Sequence, residues 1–139
     1  MKLKLKNNCK NIINIICLVC YVVLLLYTTL IGREHMNPFH AVFEGWLPFR
    51  RYDGTWNLDT IYNIFLLTPI TFLISKVFII KTKKDIFLKI VELAFVISLF
   101  IEINQLLFQV GTFQISDLIY NTLSGLIGYI LFKIMYKPE

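Results

Sequence analysis

Two apolar segments in the second half of the chain carry polar side chains at helical spacing. Ser98, Glu102 and Gln105 are separated by four and three residues, so on an α-helix they lie on one face. Asp117 and Asn121 repeat the four-residue spacing in the next apolar segment. A carboxyl group in hydrocarbon is costly unless it is paired or hydrated. The spacing therefore predicts two polar helix faces that look at each other or at a wet cavity.

These residue types allow more than one kind of chemistry. Asn63, Ser98 and Asn121 favour simple packing, because hydrogen bonds between spanning helices contribute about 0.6–2 kcal/mol each. Glu102 and Asp117 favour a functional role as ligand contacts or as an acid and base pair, because bilayer depth disfavours carboxyl groups that serve packing alone. At the helical rise per residue, we expect these groups and Gln105 at similar depth from one end of the helices.

A polar and aromatic loop, residues 32–57, holds the three arginines of the chain, Arg33, Arg50 and Arg51. A guanidinium group suits an anion, so these residues are candidates for anion binding beside the polar cluster. The alternative is surface ion pairing with the acidic residues of the same loop, Glu34, Glu44 and Asp53.

Composition predicts an integral membrane protein with an all-α fold. The chain has 139 residues, 57% of them hydrophobic. Apolar runs predict four membrane-spanning helices in a bundle that forms a single domain over 1–139. We place the spans at about 12–31, 58–80, 86–108 and 115–135.

Two local signals refine this picture. Asn37 and Pro38 have the residue types of a helix start, and Val42 and Trp46 follow at helical spacing, which predicts a short amphipathic helix at the membrane surface. Pro69 lies inside the second span, where its missing N–H predicts a kink.

The lysines predict the orientation of the bundle. Lysines precede the first span, occupy the turn between the second and third spans, and close the fourth at Lys133 and Lys137. Basic residues accumulate on the cytoplasmic side of membranes. We therefore expect both termini in the cytoplasm and the loops 32–57 and 109–114 outside.

Other classes of site find little support in the sequence. The net charge of +5 comes from residues that flank apolar segments, which argues against nucleic-acid binding. His35, His40 and Glu44 have poor spacing for a metal site, and Cys17 and Cys20 lack a second pair. We expect neither a metal nor a cofactor.

The polar segments resemble the signature of the VanZ-like membrane proteins. The similarity lies in the S-x-x-x-E-x-x-Q pattern from Ser98, in Gly111-Thr112, and in the D-x-x-x-N-T-x-x-G pattern from Asp117. Asn63 with Pro69, and the Asn37-Pro38-Phe39 segment, are similar to earlier motifs of that family.

The chain departs from the family pattern at two positions. Thr71 stands where the family often has glycine, and Gln114 stands where it often has an acidic residue. The second departure weakens any mechanism that needs a further carboxyl group in the second loop.

The resemblance implies a bacterial cytoplasmic-membrane protein of the kind associated with low-level resistance to lipoglycopeptide antibiotics such as teicoplanin. The favoured hypothesis is a non-enzymatic protein that binds membrane lipids, a lipid-linked cell-wall precursor or the antibiotic in the outer leaflet. A small intramembrane enzyme acting on a lipid is an alternative, although the sequence offers no evident nucleophile or metal. A lipid or proton-coupled transporter is another, and it would need a homo-oligomer to enclose a path.

Overall fold

The computed structural model describes residues 2–33, 41–42, 54–56, 58–82 and 86–136. In these ranges the α-helices are α1 (Lys2–Leu26), α2 (Leu58–Leu66), α3 (Thr68–Thr82), α4 (Phe87–Leu107) and α5 (Ile115–Met135). A π-helical turn, Tyr27–Ile31, extends α1. Two short strands, β1 (Ala41–Val42) and β2 (Phe113–Gln114), pair in parallel.

Four helical stretches are long and apolar enough to cross a membrane, namely Asn11–Ile31, Thr60–Phe78, Phe87–Leu107 and Ile115–Met135. They confirm the predicted all-α fold with four spanning helices. Four crossings place the first and last described helix ends on the same side, which we call the terminus side. The opposite side, where α1 ends and Arg33 follows, is called the Arg33 side.

Helix α5 occupies the centre of the bundle, where it packs against α2, α3 and α4. Two glycines allow this close approach. A Cβ atom at Gly125 would overlap the Cβ of Ala94 on α4, and one at Gly128 would overlap the carbonyl oxygen of Thr68 on α3. Small residues at such contacts are typical of helix packing in membranes.

The second span is interrupted at Leu67, between α2 and α3, as the position of Pro69 predicts. Neighbouring helices hydrogen-bond the backbone at this break. The N–H groups of Leu67 and Thr68 donate to Ser124 Oγ at 2.8 and 3.0 Å. From the other side, the hydroxyl of Tyr21 donates to the carbonyl of Leu66 at 2.9 Å. These bonds make a broken helix tolerable in a nonpolar environment.

On the terminus side, a lysine joins α1 to α3. Lys76 Nζ donates to Asn14 Oδ1 at 3.1 Å and lies 5.3 Å from the centre of the Tyr136 ring. Asn14 is buried inside an otherwise apolar stretch. A long lysine side chain can reach the membrane surface from such a position.

The prediction of a short amphipathic helix after Asn37 is wrong at Ala41–Val42, where the chain is extended and pairs with Phe113–Gln114. A strand partner distant in sequence gives this backbone hydrogen bonds that the local helical pattern could not anticipate. The rest of that predicted helix, including Trp46, lies outside the described residues.

Candidate functional site

A cavity of about 320 Å³ lies between α1, α2, α4 and α5 on the Arg33 side. It is lined by Thr28, Thr29, Arg33, Tyr62, Asn63, Leu66, Ile101, Glu102, Gln105, Asp117 and Asn121. With a rise of 1.5 Å per residue, Glu102 and Asn121 lie roughly 8–9 Å from the helix ends on this side. The cavity therefore reaches into the apolar part of the bundle.

The cavity brings together every member of the predicted polar cluster except Ser98. Ser98 is fully buried elsewhere, and its Oγ donates to the carbonyl of Leu118 at 3.3 Å. It joins α4 to α5, which is the packing role that its residue type favoured. Arg33 lines the cavity, whereas Arg50 and Arg51 lie outside the described residues.

Glu102 is 2% exposed and has a defined hydrogen bond. Its Oε2 accepts from the backbone N–H of Gln114 at 2.9 Å, at the residue that precedes α5. The carboxyl group thus helps to fix the start of α5.

Gln105 connects α4 to the π-helical turn after α1. Its Nε2 donates to the carbonyl of Thr29 at 3.1 Å. Arg33 and Gln105 both lie close to Gly111. A Cβ atom at position 111 would be 3.3 Å from Arg33 Nη1 and 3.4 Å from Gln105 Oε1. Glycine at position 111 therefore leaves room for the guanidinium at the edge of the cavity.

Asn121 differs from its neighbours because its Oδ1 is buried and has no hydrogen-bond partner in the described part of the chain. The residue is 1% exposed and lines the cavity. An unpaired buried polar atom costs about 1–3 kcal/mol, so a hydrogen-bond donor placed beside Oδ1 would be stabilising.

The sequence pattern did not indicate that the end of the first spanning helix contributes residues to the cavity. Thr28 and Thr29 line the cavity, and both hydroxyls donate to the carbonyl of Leu25, at 3.1 and 2.7 Å. The π-helical geometry of this turn could not be read from residue types, although π-helical turns are frequent at functional sites. The adjacent threonines near the end of a long apolar run were the available signal.

Among the residues with a described position, no group of three or more His, Cys, Asp and Glu side chains could hold a metal ion. The candidates His35, His40 and Glu44 fall outside those residues.

The fold and the site define a class: a membrane protein with four spanning helices and a partly buried polar cavity on the Arg33 side. Comparison with known families gives a specific match, because the model of the VanZ/LLP1 family matches residues 12–136. The chain belongs to this family. The match covers all of the described cavity residues.

A search of curated proteins found no match. A search of solved structures found none either.

Proposed function

We propose that this protein binds the polar head of a lipid-linked molecule or of a lipoglycopeptide antibiotic in its cavity. In this proposal it is a bacterial cytoplasmic-membrane protein with both termini in the cytoplasm, and it contributes to low-level resistance to antibiotics such as teicoplanin. The observation that carries the proposal is the convergence of Glu102, Gln105, Asp117 and Asn121 on one cavity. The buried Oδ1 of Asn121 has no hydrogen-bond partner among the described residues.

The position of the cavity suits a ligand that arrives from the lipid. Thr28 on α1 and Tyr62 on α2 are exposed and line the cavity, so it reaches the surface of the bundle between these helices. Helix α1 packs on α3, whereas α2 packs on α5. A lipid head group could enter sideways while its acyl chains stay in the bilayer.

The size of the cavity limits what it can hold. Small-molecule sites have volumes of roughly 300–1,000 Å³, and the cavity is at the lower limit of that range. It suits a head group or one sugar and is too small for an entire glycopeptide. Arg33 at its edge suits a phosphate or carboxylate of the same ligand, and Arg50 and Arg51 remain candidates for further anion contacts.

Binding is favoured over catalysis by the residues that line the cavity. Among the described lining residues there is no serine, cysteine or histidine, and the hydroxyls of Thr28 and Thr29 donate to helix carbonyls. An acid and base pair formed by Glu102 and Asp117 is the remaining route to an enzyme.

Mass spectrometry of the purified protein after incubation with bacterial envelope lipids tests the proposal. We expect an intact lipid to be retained by the natural protein and lost in Arg33→Gln. Lys89→Gln is the matched control, because Lys89 is an exposed cation on the terminus side. Retention of an intact lipid by both natural protein and control supports binding.

Two results would contradict the proposal. A lipid whose mass changes during incubation with the natural protein, and not with Glu102→Gln, would show an enzyme. The absence of any retained lipid would leave the cavity as a packing feature.

A further inference from the structure

We infer that the cavity receives the primary ammonium group of a zwitterionic membrane amphiphile, whose anionic group lies beside Arg33. This inference rests on the proposed function, because it assumes that the cavity holds a ligand. It adds the chemical class of the group that enters.

Several donors in the cavity wall are used in hydrogen bonds within the protein. The hydroxyls of Thr28 and Thr29 donate to backbone carbonyls, and Gln105 Nε2 donates to the carbonyl of Thr29. The Gln114 N–H donates to Glu102. Each of these donors is already engaged within the protein.

The buried Oδ1 of Asn121 needs a hydrogen-bond donor. Oδ1 has no partner among the described residues, and the side chain that carries it is 1% exposed and lines the cavity. An amide oxygen accepts hydrogen bonds and cannot donate them. The group that satisfies it must carry an N–H or O–H.

The charge of the cavity lining favours an ammonium N–H over a hydroxyl O–H as the donor to Asn121. The described lining contains two carboxyl groups, of Glu102 and Asp117, and one guanidinium, of Arg33. Carboxylates at membrane depth are stabilised by a cation, and a hydrogen bond between ionised groups is roughly twice as strong as a neutral one. A primary ammonium supplies three donors and one positive charge, whereas a hydroxyl supplies only one donor.

Arg33 completes the complementarity. Its side chain is exposed at the cavity edge, next to Gly111 and Gln105. An anion there would lie near the membrane surface, with the ammonium directed inward toward Asn121. Phosphatidylethanolamine has this arrangement of charges and is the probe of choice.

Competition among three phospholipids with identical acyl chains tests the inference by native mass spectrometry of the full-length protein. Phosphatidylethanolamine has the ammonium with its N–H donors. Phosphatidylcholine keeps the charge without N–H donors, and phosphatidylglycerol has hydroxyls without the positive charge. We expect phosphatidylethanolamine to be retained at least about tenfold over each of the others, which corresponds to about 1.4 kcal/mol.

Substitutions in the cavity test which residues cause the preference for phosphatidylethanolamine. Asp117→Asn and Asn121→Leu should each reduce it toward equal retention of the three lipids. Asn104→Leu is the matched control for Asn121→Leu, because Asn104 lies outside the cavity lining and donates to the carbonyl of Phe100. Asn121→Asp adds a negative charge with little change in shape and should strengthen the preference, a gain that a purely structural role would not produce.

The outcomes separate this inference from the proposed function. Equal retention of the three lipids, or a preference for phosphatidylglycerol, overturns the ammonium assignment. It leaves the proposed function intact if Thr28→Trp, which fills the exposed edge of the cavity, abolishes retention. If Thr28→Trp retains the lipids as the natural protein does, the lipids bind elsewhere and both proposals fail.

Discussion

Glu102 is buried where α4 meets the start of α5, and its hydrogen bond to the Gln114 N–H gives it a structural role that needs no ligand. It also lines the cavity, where the proposed function gives it a role in ligand binding. The two roles differ in what they require. The hydrogen bond needs an acceptor oxygen, whereas proton transfer or contact with a cation needs the carboxyl group itself.

Substitutions at Glu102 can separate these roles. Glu102→Gln keeps an oxygen that accepts from Gln114, so we expect normal folded yield together with loss of lipid retention and of teicoplanin tolerance in an expressing host. Glu102→Leu removes the acceptor and should lower the free energy of unfolding by about 1–3 kcal/mol. Folded yield by size-exclusion chromatography and thermal unfolding would measure the second effect. A Glu102→Gln protein with full activity would limit this residue to helix packing.

At the scale of elements, the interrupted second span depends on its neighbours. The backbone around Leu67 is hydrogen-bonded by Ser124 on α5 and by Tyr21 on α1. Asn63 lies on α2 just before the interruption, so the same contacts that hold the break also hold one wall of the cavity. The position of α5 against α3 and α4 is therefore central to the site.

The contact between α4 and α5 gives a test of this packing. Gly125→Ala would place a Cβ atom on that of Ala94, so we expect lower thermal stability despite the better helix propensity of alanine. Adding Ala94→Gly removes the overlapping methyl group and should restore most of the stability. A double-mutant cycle by thermal unfolding measures this coupling.

Gly128→Ala is the comparison for that cycle. Its added Cβ would meet the Thr68 carbonyl oxygen, which is backbone and cannot be removed by a side-chain change. It should be destabilising with or without Ala94→Gly. Rescue of Gly128→Ala by the same substitution would show that α5 shifts as a whole and that the local contacts do not set its position.

At the scale of the whole molecule, one end of the bundle contains the polar cavity, and the other end contains lysine contacts that join the helices. The cavity lies on the Arg33 side, and the Lys76 contacts with Asn14 and Tyr136 lie on the terminus side. If the lysines set the orientation, the cavity faces the outer leaflet, where an antibiotic or a lipid-linked precursor would be found.

Reporter fusions test this orientation. A reporter that is active only in the cytoplasm should be active when fused after Lys137 and silent when fused near Tyr52. A reporter that is active only outside should give the opposite pattern and serves as the control. The reverse result would place the cavity in the inner leaflet and remove the basis for antibiotic binding there.

Much of this protein could be predicted from its sequence, because the controlling features are local. Apolar runs of about twenty residues define the spanning helices, and a four-three spacing fixes which side chains share a helix face. Pro69 likewise marks the break in the second span, since it lacks a backbone donor. The same reasoning grouped Asn63, Glu102, Gln105, Asp117 and Asn121, which line one cavity.

Tertiary structure decided the features that depend on partners far apart in the chain. Ala41–Val42 became a strand because Phe113–Gln114 lies beside it. Ser98 belongs to the same helix face as Glu102, yet its hydroxyl donates to the carbonyl of Leu118 outside the cavity. The rotation and depth of that face depend on the neighbouring helix. The contact of Gln105 with Thr29 arises only when distant helices meet, and so does the burial of the Asn121 oxygen without a partner in the described part of the chain. Local periodicity specifies a helix face, but only packing determines what that face contacts.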